Sequence, residues 1–227
     1  MKTNLLIRAL TFASIAISFS PPAIAAETID SRIVSYVTGA DVKKSLLQVA
    51  VMWDKMLGIN CSESYEVEIK PENIFLVSPM SMGEADKYPT EGQWSYRFAA
   101  KRCGEAKYYN VAFLGNKSTP PKMIALIPGQ TMASPQLVLD TVNQVSVAIK
   151  SFTDAKQGTK CNDFAFTDST VNIPPAAGNP RSQFEEVWSY RYCGSIKPIT
   201  VCFSPNQETG GMSFRTTPCK DIPGQNK

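Results

Sequence analysis

Two stretches of the chain place apolar residues at three- and four-residue steps. Val42, Leu46, Val49, Trp53 and Leu57 form the first series, and Val138, Val142, Val145, Ile149 and Phe152 the second. Each series predicts an amphipathic helix with one buried stripe. Gly58 and Gly158 are the expected C-terminal stops, and Ser134-Pro135 supplies an N-cap and a first-turn proline for the second helix. Elsewhere the period drops to two. Tyr65, Val67 and Ile69 alternate with charged residues; Trp94, Tyr96 and Phe98 alternate with Ser95 and Arg97; Tyr109, Val111 and Phe113 follow, then residues 123–127. This alternation predicts strands with aromatics on one face. A helix followed by about four antiparallel strands, twice over, is an α+β pattern, because the strands follow one another instead of alternating with helices.

The order of features also repeats. Trp94-Ser95-Tyr96-Arg97 recurs as Trp188-Ser189-Tyr190-Arg191, and each copy precedes a Cys-Gly pair, Cys103-Gly104 and Cys193-Gly194. The first copy carries four more residues, 99–102, before its cysteine. Beyond the cysteines the copies align at an offset of 90, with Val111 on Val201, Phe113 on Phe203 and Pro128 on Pro218. Upstream, Gly58 and Cys61 match Gly158 and Cys161 at an offset of 100. A tandem duplication is the expectation, with a first repeat over 27–130 and a second over 131–227.

Residues 1–26 read as a cleaved signal peptide. Lys2 and Arg8 form a basic start, 9–19 a mostly apolar stretch, Pro21-Pro22 a break, and Ala23 to Ala26 a small-residue cleavage site. The apolar stretch falls short of the roughly 20 residues a membrane span requires. The expected address is therefore the periplasm or the medium. The whole chain holds 23 basic and 20 acidic residues. Removal of Lys2 and Arg8 leaves 21 against 20, so the basic balance does not argue for nucleic acid or an anionic membrane as partner. No second long apolar segment predicts a membrane span.

Six cysteines in an exported chain suit three disulfides. Fifteen pairings are open to six cysteines, and the repeat narrows them. Cys61 and Cys103 hold places equivalent to Cys161 and Cys193, so the expected bonds lie within each unit. Cys202 and Cys219 remain as the third pair; their counterparts in the first copy are Ala112 and Gly129. A two-residue turn at Gly210-Gly211 would set residues 202 and 219 directly opposite each other on a hairpin.

Histidine is absent from the chain. Its absence removes the usual general base and the commonest transition-metal ligand. No Cys-x-x-C spacing, phosphate-binding glycine loop or serine-hydrolase motif appears, so no metal and no cofactor are expected. Carboxylates cluster at Glu63, Glu66 and Glu68 and at Glu185-Glu186, but neither cluster recurs in the other copy. The aromatics of Trp-Ser-Tyr-Arg are expected in the core. Arg97 and Arg191 fall on the opposite strand face and are candidate binding residues, solvent-facing or salt-bridged. The stretch Val77 to Gly92, carrying Met80, Met82 and Tyr88, and its counterpart Asn172 to Ser182 are the expected contact loops.

The pattern of Trp188, Cys193-Gly194, Val201-x-Phe203 and Gly210-Gly211-x-x-Phe214 resembles one found in uncharacterised exported bacterial proteins. The resemblance implies export and disulfide bonding and transfers no catalytic residue. Together these readings predict a secreted or periplasmic, non-enzymatic binding protein for a protein or glycan partner. The alternatives are a carboxylate-based hydrolase of an extracellular polymer and a secreted protease inhibitor.

Overall fold

The computed structural model describes residues 30–61, 64–157, 161 and 163–220. The leader expected over 1–26, Glu63 and the stop at Gly158 lie outside them. Helices α1 (Ser31–Val37) and α2 (Ala40–Met56) open the first half, and α3 (Pro135–Gln157) opens the second. The expected stripe of α2 is realised: Val42, Leu46, Val49 and Trp53 are buried. Gly58 ends the helix in a left-handed conformation, φ 72°. The amides of Gly58 and Ile59 then return to the carbonyls of Lys55 and Asp54 at 3.1 and 2.8 Å, satisfying two terminal acceptors. On α3, Val138, Val145 and Ile149 are buried, and Ser134 Oγ accepts from the Leu137 amide.

Among the described residues, nine strands form two antiparallel sheets. Strands β1 (Glu66–Glu68), β2 (Ile74–Ser81), β3 (Glu91–Arg102), β4 (Glu105–Leu114) and β5 (Lys122–Ala125) make the first. Its order is β1-β3-β4-β5, with β2 also paired to β3. Strands β6 (Ala165–Ile173), β7 (Phe184–Tyr192), β8 (Ser195–Pro205) and β9 (Met212–Arg215) make the second, in sequential order. The fold class is α+β, with five strands in the first sheet instead of about four. The loop expected from Val77 to Gly92 is shorter: its ends belong to β2 and β3, leaving 82–90 as the connection. Met80 and Pro79 obscured the strand, because neither reads as a strand former.

The strand alternation holds. Trp94, Tyr96 and Phe98 are fully buried against α2, with Tyr109, Val111 and Phe113 from β4. The second core gathers Phe184, Trp188, Tyr192, Val201 and Phe203 against α3.

Both central hairpins turn on Cys-Gly. Cys103 and Gly104 have φ 47° and 76°, and Cys193 and Gly194 have φ 52° and 72°. Positive φ at both central residues is the tight turn that matches strand twist. It also sets register. Arg102 pairs with Glu105 and Tyr192 with Ser195, and both ladders run on without a bulge. The hairpins therefore correspond at a constant offset of 90, which places Trp94 opposite the role of Phe184, not of Trp188. Trp94 stacks on Phe113 at 5.1 Å, and Phe184 on Phe203 at 4.7 Å. The shared Trp-Ser-Tyr-Arg motif is thus displaced by four residues along the strand. An even displacement keeps the same face buried, so composition matched while position did not.

All three expected disulfides are present: Cys61–Cys103, Cys161–Cys193 and Cys202–Cys219. The first two tie the segment after each helix to its Cys-Gly turn. The third forms by a route other than the expected turn. Cys202 faces Arg215 across the ladder, and residues 206–211 make a longer connection. Cys219 lies beyond β9, where its amide donates to Glu185 Oε2 at 2.7 Å.

Residues 126–131 join the halves as a buried splice, not a free linker. Leu126 donates to the Asn110 carbonyl and Gly129 to that of Tyr108, both at 2.9 Å, whereas Gln130 donates to Ser169 of β6 at 2.7 Å. Gly129 has φ 96°, and a Cβ there would overlap the Ser169 backbone. Lys107 Nζ also crosses, donating to the Thr167 carbonyl at 2.9 Å. Burial pulls the Lys107 pKa down.

Candidate ligand cavity between the halves

The splice leaves a cavity beside it. The back face of the first sheet supplies one wall through Phe75, Val77, Ser95 and Arg97. The splice and the start of α3 supply a second wall, and Arg181, Phe184 and Met212 supply the third. Its volume is about 600 Å³, within the usual range for small-molecule sites. Phe75, Val77 and Met132 stay 46, 45 and 49% exposed although each is large and apolar. Strand alternation explains the first two: Ile74 faces the core, so Phe75 and Val77 face away from it.

Arg97 sits in this wall. Its Nε donates to Asn110 Oδ1 at 3.1 Å, its Nη2 donates to the Thr131 carbonyl, and its guanidinium lies 5.8 Å from the Phe75 ring centroid. All of these partners are neutral. Burial pulls its pKa down, and the charge of Glu186 opposes that pull. Arg97 was expected to be solvent-facing or salt-bridged; it is half-buried and makes no ion pair among the described residues.

Behind Thr131 lies Glu186, fully buried. It accepts from Thr131 Oγ1 at 3.0 and 2.9 Å, the Met132 amide at 2.6 Å and Trp188 Nε1 at 2.6 Å. Burial pushes its pKa up, while the bonds from Trp188, Met132 and Thr131 pull it back. Glu185, on the other strand face, accepts from Asn172 Nδ2 at 2.6 Å and from the Cys219 amide. The two neighbours therefore point to different structures and form no catalytic pair. Asp140 is the one carboxylate among the described residues that lines the cavity, and its Oδ1 accepts from Gln136 Nε2 at 2.8 Å.

The other sequence candidates lie elsewhere. Arg191 Nη2 donates to the Met56 carbonyl at 2.5 Å, so this arginine of the second half caps α2 of the first. Met80 and Met82 pack, partly buried, on the first core, and Tyr88 is half-buried in the 82–90 connection. Glu66 and Glu68 are exposed, as a solvated strand face requires. A second polar cluster, Asp54 with Arg102, Tyr65 and Tyr109, is buried under the end of α2. Asp54 pairs with Arg102 and accepts from Tyr65 Oη at 2.9 Å and Tyr109 Oη at 2.7 Å. It closes on itself and does not line this cavity. Sequence reading singled out Arg97 and placed Arg181 within an expected contact loop, but missed Phe75, Thr131 and Met132, because they come together only when the halves pack.

No family model, curated protein or solved structure matches this chain. No helix among the described residues is long and apolar enough to cross a membrane.

Proposed function

We propose that this is an exported, non-enzymatic binding protein that takes its ligand in the cavity between two copies of one duplicated unit. The observation that carries the reading is the cavity of about 600 Å³, walled by exposed apolar side chains held on rigid strands and a helix start. Rigid walls reduce the entropic cost of binding. Catalysis finds no comparable support. Among the described residues, the cavity has one carboxylate, Asp140, whereas glycoside hydrolysis uses two flanking the bond. Partner contact at the rim, with a protein or a glycan, belongs to the same reading.

Duplication is supported by the shared order of helix, strand, Cys-Gly hairpin and helix-to-turn disulfide. Export is supported by the leader-like sequence of 1–26 and by three disulfides. N-terminal sequencing of the protein recovered from periplasm and medium should begin at Ala26 or Glu27. For the cavity, the mature oxidised protein should bind the neutral apolar dye N-phenyl-1-naphthylamine with fluorescence enhancement. Met132→Trp, which narrows the cavity, should weaken that binding at least fivefold. Dye binding that is absent, or indifferent to Met132→Trp, counts against the site.

A further inference from the structure

Resting on the cavity as a ligand site, we infer that its ligand is an apolar molecule ending in a single carboxylate, and that Arg97 receives the carboxylate. Arg97 is oriented before any ligand arrives. Its Nε and Nη2 are held by Asn110 Oδ1 and the Thr131 carbonyl, and Phe75 lies 5.8 Å from the guanidinium. These contacts fix the plane of the group without neutralising it. Nη1 has no acceptor among the described residues, and Arg97 lines the cavity together with Phe75, Asn110 and Thr131, the residues that hold its guanidinium. A fixed guanidinium in a partly dehydrated, apolar setting gains more from an anion than an exposed one does.

The carboxylate that acts on Arg97 through space is Glu186, but its oxygens are already filled by Thr131, Met132 and Trp188. Glu186 anchors the splice that holds Arg97; it does not occupy the cavity. Arg181 adds a second positive charge to the lining and Asp140 a negative one. Among the described residues, the lining therefore carries one net positive charge, which suits a monoanion and disfavours a dianion such as a phosphate monoester. The apolar remainder of the ligand lies along Phe75, Val77, Met132 and Phe184. Its contribution follows from the area it removes from water.

The test is isothermal titration of the mature oxidised protein at neutral pH with decanoate and with decanol, which differ in the anionic head. N-phenyl-1-naphthylamine displacement reports occupancy of the cavity in parallel. Decanoate should bind at least tenfold tighter than decanol, and Arg97→Gln should erase that preference while decanol and dye still bind. Decanoate and decanol binding equally, with dye bound, overturns the carboxylate inference and leaves the cavity reading standing. Failure of dye, decanol and decanoate together overturns the cavity reading itself. A preference that survives Arg97→Gln removes Arg97 as the receiving group. Should Arg97→Gln not fold, the wild-type decanoate-to-decanol ratio still decides the ligand class. Nitrogen-detected NMR of the arginine side chains in the wild type then reads Arg97, whose guanidinium resonance must shift with decanoate and not with decanol.

Discussion

Glu186 Oε2 accepts a 2.6 Å hydrogen bond from the indole Nε1 of Trp188, two residues along β7 on the same face. The carboxylate thereby joins the second core to the splice, since Thr131 and the Met132 amide donate to it as well. Glu186→Leu removes the acceptor and leaves the buried Thr131 hydroxyl and Trp188 indole without it. Equilibrium urea unfolding should show a loss on the order of 3 kcal/mol. Glu186→Gln keeps one acceptor oxygen and should lose less. A variant as stable as wild type would mean that the donors find water instead.

Gly129 touches the Ser169 backbone at positive φ. Gly129→Ala adds a methyl group against the Ser169 backbone, which cannot yield as a side-chain end would. The substitution should destabilise by about 2–4 kcal/mol, measured by urea unfolding. It should also weaken dye binding, because the splice forms a cavity wall. Unchanged stability would show that the two halves are not held at this contact.

Asp163 Oδ1 and Oδ2 accept the amides of Cys193 and Gly194 at 2.8 and 2.9 Å, holding the second Cys-Gly turn. These two bonds, that of Gly194 first, pull its pKa below the usual aspartate value of 3.8. The folded state therefore favours the carboxylate. Its contribution is present above pH 3.8 and is lost as pH falls through the lowered folded value. Asp163→Asn should reduce stability at neutral pH, and the gap from wild type should close as the medium is acidified. Unfolding curves collected across that range check the sign.

The disulfides close loops of different length. Sequence separations are 42 for Cys61–Cys103 and 17 for Cys202–Cys219. Loop entropy predicts losses of about 4 kcal/mol for the paired Cys→Ala variant of the first and about 3 kcal/mol for that of the second. Thermal unfolding of the two double variants should rank them in that order. Peptide mapping without reduction should recover Cys61 with Cys103, Cys161 with Cys193, and Cys202 with Cys219.

Much of the fold was legible residue by residue. The 3.6-period stripe of α2 and the alternation of Trp94, Tyr96 and Phe98 each report a local rule, and both hold in the structure. The cysteine pairs were legible because equivalent positions invite equivalent bonds. Strand β2 was not, since Pro79 and Met80 conceal a strand that β3 stabilises through pairing. Nor was the true register of the hairpins, which depends on where the left-handed turn falls and not on the best-matching motif. Arg97 was legible as a residue off the core face. Its partners Asn110 and Thr131 were not, because one lies across the ladder and the other in the splice.

The chain by itself determined helices α2 and α3, most of its strand faces and its three sulfur bridges, because these follow from periodicity and from short-range or repeated spacing, whereas the short helix α1 offered no comparable series. Only the tertiary structure decided that Glu186 is buried, that Arg191 caps α2, and that a cavity opens beside Arg97. Each of those depends on how two halves approach through Gly129, a long-range packing geometry that no local pattern encodes.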